Sequence, residues 1–212
     1  SIASNSSLRT LFDAVTNTKD AGRGSLRQAI VNANALGGDA ALAQSGRAAG
    51  IEHVVFMIPN GTSAAGLRST DNAFVGGAAT ITPSSAVLPA ITSALTIDAQ
   101  TQPGWSTSPV VQLDGANFTA AGGSFGLTVS SNDVVIRGFS VTGWRQASGA
   151  GSAAIRVGST ATSGVVVQGN WLGLTPTGAT SANHAGISVY GTNVLIGGTG
   201  AAQRNVISGN TS

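Results

Sequence analysis

The sequence predicts an all-β solenoid of parallel coils preceded by one helix, and three observations carry that prediction. Short apolar runs rich in Val and Ile fill the chain after residue 50, separated by Gly, Asn, Ser or Thr. This is the texture of short strands joined by corners. The runs recur at a spacing near 30: Val129, Val157 and Val189 close three of them, with gaps of 28 and 32, and Ile136, Val167 and Ile196 lie in three others, with gaps of 31 and 29. Tight hairpin signals are rare, Asn60-Gly61 being the one that fits. A propeller blade needs about 40 residues and four antiparallel strands. Coils that each add one strand to each of about three parallel sheets fit the spacing better.

The first element is "GSLRQAIVNANAL", 24–36. Ser25 with Gln28 three residues on is a capping-box pattern, so the helix is placed at 25–36. Leu26, Ala29, Ile30 and Ala33 form one apolar stripe at helical spacing, and Gly37-Gly38 stops it. The Ala-rich residues 39–50 extend the helix or form a loop. Residues 1–50 thus make an N-terminal segment, and residues 51–212 make the coils.

Strands are predicted at 53–58, 79–82, 94–98, 110–114, 126–129, 133–141, 154–157, 164–172, 186–189, 193–198 and 205–209. "VVVQGNWLGL" and "NVISGN" sound alike, and both read as a strand followed by a turn in successive coils. Gly169-Asn170 and Gly209-Asn210 supply corner chemistry, because Gly and Asn tolerate left-handed backbone. Asn stacked on Asn can also hydrogen-bond along the solenoid axis.

Composition removes several function classes. Only 8% of the 212 residues are charged, against roughly 25% in an ordinary domain, so neutral polar groups must make the surface. No run of about 18 apolar residues is present, which argues against membrane insertion. The net charge is +2 and the nine Arg are scattered, unlike the clustered footprint of a nucleic-acid binder. There is no Cys, hence no disulfide, thiolate metal site or Cys nucleophile. The opening "SIASNSS" has neither the basic nor the apolar region of a leader.

The segments "SLRQAIVNAN", "VVFMIP", "TITPSSAVLPAITSALTIDAQTQPG", "VQLDG", "GLTVSSNDVVIRGFSV", "VVVQGNWLGL" and "NVLIGGTGAAQRNVISGN" follow one another from about residue 15 to the end. Together they resemble the right-handed parallel β-helix modules of bacterial secreted and surface proteins. The resemblance implies a three-sheet solenoid with the helix as an N-terminal cap, an adhesin-like module on a superfold shared with pectate-lyase-like enzymes, and a secreted or cell-surface location. Fold does not settle function.

The eight acids end at Asp133, and the last 79 residues hold Arg137, Arg145, Arg156 and Arg204 with no carboxylate. Glycoside hydrolysis needs two carboxylates flanking the bond, and calcium-assisted elimination needs several clustered oxygen ligands. Only Asp98, Asp114 and Asp133 lie on adjacent coils with strand character. Aligning "TIDA", "VIRG", "VVQG" and "LIGG" puts Asp98, Arg137, Gln168 and Gly197 at one outward strand position. Asp98 and Arg137 then read as a surface ion pair. The alternative is a catalytic face of Asp98, Asp114 and Arg137.

His53 and His184 lack a second His at ligand spacing, "GGTG" at 197–200 lacks the Lys of a phosphate loop, and no Ser-nucleophile elbow is present. No cofactor and no metal are expected. Trp144 opens the Gly/Ser/Ala-rich stretch "RQASGAGSA" and is the expected exposed aromatic, a candidate to stack on a sugar. Trp105, Trp171 and Tyr190 could also stack on sugar rings, but Trp171 is expected to pack between coils.

The reading is a non-enzymatic structural or adhesive module, with a glycan or cell-surface ligand as partner. A polysaccharide lyase or hydrolase and a carbohydrate-binding module are its rivals. The pattern stops within a coil, so further coils after residue 212, or self-association through that end, are expected.

Overall fold

The computed structural model describes residues 13–36, 51–118, 124–145 and 151–212. Its apolar runs form 14 short strands in three parallel sheets, one strand of each sheet per complete coil. β1 (Asp13–Val15) comes first, then helix α1 (Leu26–Leu36), then β2 (Glu52–Phe56) and β3 (Ala79–Ile81). Three complete coils follow among the described residues. They are β4 (Leu95–Asp98), β5 (Val111–Asp114) and β6 (Phe125–Val129); β7 (Val135–Arg137), β8 (Phe139–Thr142) and β9 (Ala153–Val157); and β10 (Val166–Gln168), β11 (Trp171–Leu172) and β12 (Ala185–Val189). β13 (Leu195–Ile196) and β14 (Val206–Ile207) close the order. Sheet I stacks β1-β2-β4-β7-β10-β13, sheet II stacks β3-β5-β8-β11-β14, and sheet III stacks β6-β9-β12.

The strand register is the one the spacing predicts. Ile136 pairs with Val167 and Val167 with Ile196. Val129 pairs with Val157 and Val157 with Val189. Inward residues therefore stack in columns. Val54, Ile97, Ile136 and Val167 form one column and Leu113, Val141 and Leu172 another, all fully buried. Ile196 and Ile207, the last members of these columns, are 44% and 49% exposed. Two predicted strands, 133–141 and 164–172, each prove to be a strand, a corner and a second strand. Gly138 divides β7 from β8, and Gly169-Asn170 divides β10 from β11. β1, three residues long, escaped the sequence pattern.

Corners interrupt the strand ladder and would strand buried backbone groups. Two Asn ladders supply the missing partners. Asn170 is fully buried; its Oδ1 accepts the Phe139 N–H of the preceding coil (3.0 Å), and its Nδ2 donates to the Ile136 carbonyl (3.1 Å). Asn205 repeats this one coil on, with Oδ1 accepting the Asn170 N–H (2.9 Å) and Nδ2 donating to the Val167 carbonyl (2.7 Å). At the next corner Asn183 serves the Trp144 N–H (3.1 Å) and the Val141 carbonyl (2.9 Å). Asn210 in turn serves the Asn183 N–H (3.2 Å) and the Leu172 carbonyl (2.9 Å). The two Gly-Asn echoes are thus the same device at different corners: Asn170 stacks with Asn205, and Asn210 with Asn183.

Helix α1 lays Leu26, Ala29, Ile30 and Ala33 into the core cluster beside Val15 and Val54. Half of the predicted capping box forms. Ser25 Oγ accepts the Gln28 N–H (3.2 Å), but the Gln28 side chain bonds Asn32 (2.8 Å) because the Ser25 N–H is already bound to the Gly22 carbonyl. Gly37, Gly38 and residues 39–50 lie outside the described residues. Asp20 clamps the cap to the segment before β4. It meets Arg27 at 2.6 Å and accepts from the Ser85 N–H (2.8 Å) and the Ser84 hydroxyl (3.2 Å). Arg27 reaches the carbonyls of Ala86 (2.5 Å) and Val87 (2.8 Å).

Ile30→Asp buries an unpaired charge in the cap and is expected to cost roughly 4 kcal/mol. Urea denaturation checks this, and an unchanged midpoint rejects the cap. Asp20 gives a pH signature. Burial works against its charge, but hydrogen bonds from Ser85, Arg27 and Ser84 win and hold the carboxyl well below its ordinary 3.8. A carboxyl lowered on folding stabilises the native state above its ordinary value, and that gain is lost as pH falls through the lowered one. Stability should therefore drop below about pH 4. In Asp20→Asn the drop should shrink, as thermal melts between pH 6 and pH 2 would record.

Candidate functional site

Sheet I places the predicted outward column as expected. Asp98 pairs with Arg137 and Arg137 with Gln168 in strand register. The Asp98 Oδ2 to Arg137 Nη1 distance is 3.9 Å, with both side chains partly exposed. Such a pair contributes about 0–1 kcal/mol. Asp98 Oδ1 also accepts the Gln100 N–H (3.0 Å), capping the short 3-10 turn Ala99–Thr101. Asp114 ends β5 on sheet II, and its Oδ1 accepts the Ala116 N–H (3.1 Å). Burial pushes its carboxyl above the ordinary value, against that one bond. Asp133 sits in the turn before β7 with left-handed backbone, φ 55°. The structure therefore joins Asp98 to Arg137 and leaves Asp114 on a different sheet. No group of three His, Cys, Asp or Glu side chains with metal-holding geometry occurs among the described residues.

The expectation that Trp144 is exposed is corrected: it is fully buried. Left-handed backbone at Gly143 (φ 78°) turns the chain at the end of β8. The indole then stacks on Phe118, with centroids 5.6 Å apart and planes 5° from parallel. It can enter because Gly115 has no Cβ, which would otherwise lie 2.5 Å from the ring. Trp144 is therefore core and presents no sugar-stacking face. Trp171 is corrected in the other direction. Leu172 takes the inward position of β11, so strand alternation sends Trp171 outward, half-buried.

There Trp171 meets two loops. The segment following Asp98 and the segment following β13 lie on one side of the solenoid, separated by two coils. The Gln100 side-chain amide donates to the Ala202 carbonyl (2.8 Å), a contact 102 residues long in sequence. The bridge crosses the corner at Gly169. A Cβ there would collide with the Gln100 amide and the Ala202 carbonyl, and φ is 65°. Between the loops and Trp171 lies a crevice of about 240 Å³, lined by Thr107, Trp171, Thr199, Arg204 and the backbone of 198–201. Thr107 and Arg204 were not singled out by the sequence for this site; Trp171 and the run Gly197-Gly198-Thr199-Gly200 were its traces.

A second depression, about 560 Å³, lies beside the cap and is lined by Asp13, Thr16, Arg23, Gln28 and Asn32, among others. Burial pushes the Asp13 carboxyl up, against a hydrogen bond from Asn32.

No protein-family model matches the sequence, and no curated protein is significantly similar to it. No helix among the described residues is long and apolar enough to cross a membrane.

Gly169→Ala should destabilise by about 1–3 kcal/mol through strained backbone, and by more through the collision. Gly178→Ala, at φ 83° with open surroundings, isolates the backbone part. Equal losses for the two variants in urea melts would show that the loop bridge does not press on Gly169.

Proposed function

We propose that this chain is a non-enzymatic structural and adhesive β-solenoid module of a bacterial extracellular or cell-surface protein, with a glycan or another cell-surface ligand as its partner. One observation carries the reading: its best-placed carboxylates are engaged in holding backbone. Asp20 accepts from Ser85 and meets Arg27, Asp98 accepts the Gln100 N–H, and Asp114 accepts the Ala116 N–H. General acid–base work on a glycosidic bond needs two carboxyls facing one space, whereas these three lie in the cap, on sheet I and on sheet II. Parallel coils supported by fully buried columns suit a rigid rod, and a surface poor in charge suits contact with neutral polar partners.

The decisive experiment incubates the protein with panels of uronate-containing and neutral polysaccharides and follows reducing ends and unsaturated products. No turnover is expected. Steady product release that Asp98→Asn or Asp114→Asn abolishes would replace this reading with that of a lyase or hydrolase.

A further inference from the structure

We infer that the crevice between the 99–108 and 198–204 segments is a binding subsite for a single sugar ring carrying an anionic group, a carboxylate or a sulfate. The inference rests on the adhesive half of the reading above and names the ligand class for it.

Size comes first. At about 240 Å³ the crevice falls below the range of about 300–1,000 Å³ that encloses drug-sized ligands. It suits one ring of a longer chain whose neighbours stay in solvent.

The lining is the second argument. Trp171 offers an indole surface on the outward side of β11, and aromatic faces pack well against the C–H face of a pyranose. Arg204 is exposed, and among the described residues its guanidinium makes neither an ion pair nor a hydrogen bond. The side chains of Thr107, Thr199 and Trp171 make no hydrogen bond among the described residues either. Their donors and acceptors are unspent, unlike those of Asn170 and Asn183, which the fold consumes.

Charge decides the class of sugar. No acid follows Asp133 in the sequence, and the crevice lining contains no carboxylate. A guanidinium presents paired N–H donors that match a carboxylate or sulfate in a bidentate fork. An anionic group on the ligand would supply the counter-charge that this lining lacks.

The Gln100–Ala202 hydrogen bond fixes the two loops against each other, and the Gly169 corner leaves them room to meet. The walls are therefore set before a ligand arrives, which lowers the ordering cost of binding.

The test is calorimetric titration with three polymers: alginate for carboxylate, carrageenan for sulfate and dextran for a neutral chain. Saturable binding of alginate, carrageenan or both is expected, weakened by raising NaCl to about 0.5 M, with none for dextran. Arg204→Ala and Trp171→Ala should each weaken binding at least about tenfold, a loss of about 1.4 kcal/mol. Arg204→Lys should retain part of the affinity and Trp171→Phe most of it, with melting temperatures recorded to show that all four variants fold. Preference for one anionic polymer identifies the group. The inference is overturned if neither anionic polymer saturates, if dextran binds as well, or if Arg204→Ala binds like the parent. None of these outcomes involves bond cleavage, so the non-enzymatic reading would stand or fall separately.

Discussion

A chain that turns a corner every few residues must find partners for the backbone groups that each corner removes from the ladder. In this solenoid the partner is a side-chain amide one coil further on. Asn170, Asn183, Asn205 and Asn210 each accept one N–H and donate to one carbonyl of the coil before. An amide is well matched to the task, because it carries an acceptor and two donors on one rigid plane. The columns of Val, Ile and Leu supply the burial. The Asn ladders supply the registration, since an amide that slips by one residue leaves its partners buried and unpaired, at about 1–3 kcal/mol each. The buried Trp144 depends on the same device: Asn183 holds its backbone N–H while the glycines around the indole make room.

The ladders explain where the outside of the rod is free to vary. Inward positions and corners are committed, and the outward strand positions and the longer connections are not. In the outward column of sheet I, Gln168 is covered and bonds the Gly197 carbonyl (2.9 Å), whereas Asp98 and Arg137 make a long, partly exposed ion pair that the fold can lose cheaply. The crevice at Trp171 belongs to the same free surface. It is built from connections of unequal length, and their inequality lets the chain reach across the two short corners between them.

Much of the fold was legible in the sequence because the coil length is nearly constant. Spacing alone placed Val129, Val157 and Val189 in one column, Ile136, Val167 and Ile196 in another, and Asp98 beside Arg137. The helix stripe was legible for the same reason, since Leu26, Ala29, Ile30 and Ala33 follow a fixed period. Breaks in the period were not legible. A run such as 133–141 contains one Gly, and nothing in the run says whether that Gly bends a strand or ends it. The direction of an aromatic at a corner was hidden too. Trp144 turns inward because Gly143 takes left-handed backbone and because the glycines at 115 and 126 leave room for the ring, and that room is supplied by the preceding coil. The crevice was hidden for a stronger reason: Thr107 and Arg204 are about a hundred residues apart and meet only once two intervening coils are stacked.

The Gln100–Ala202 bond also bears on how the rod comes apart. In an array held only by contacts between adjacent coils, the ends fray one unit at a time, and stability is close to a sum over neighbours. A bond that skips two coils breaks that rule. The last described coil cannot peel away without breaking its bond to the loop after β4, and that loop cannot swing out while the Ala202 carbonyl holds Gln100. Unfolding from this end is thereby tied to the middle of the rod. The same long-range closure is reached late in folding, because its loop entropy is recovered only after the coils between have formed. The bond therefore acts as a latch that closes last and makes the coils beneath it open together.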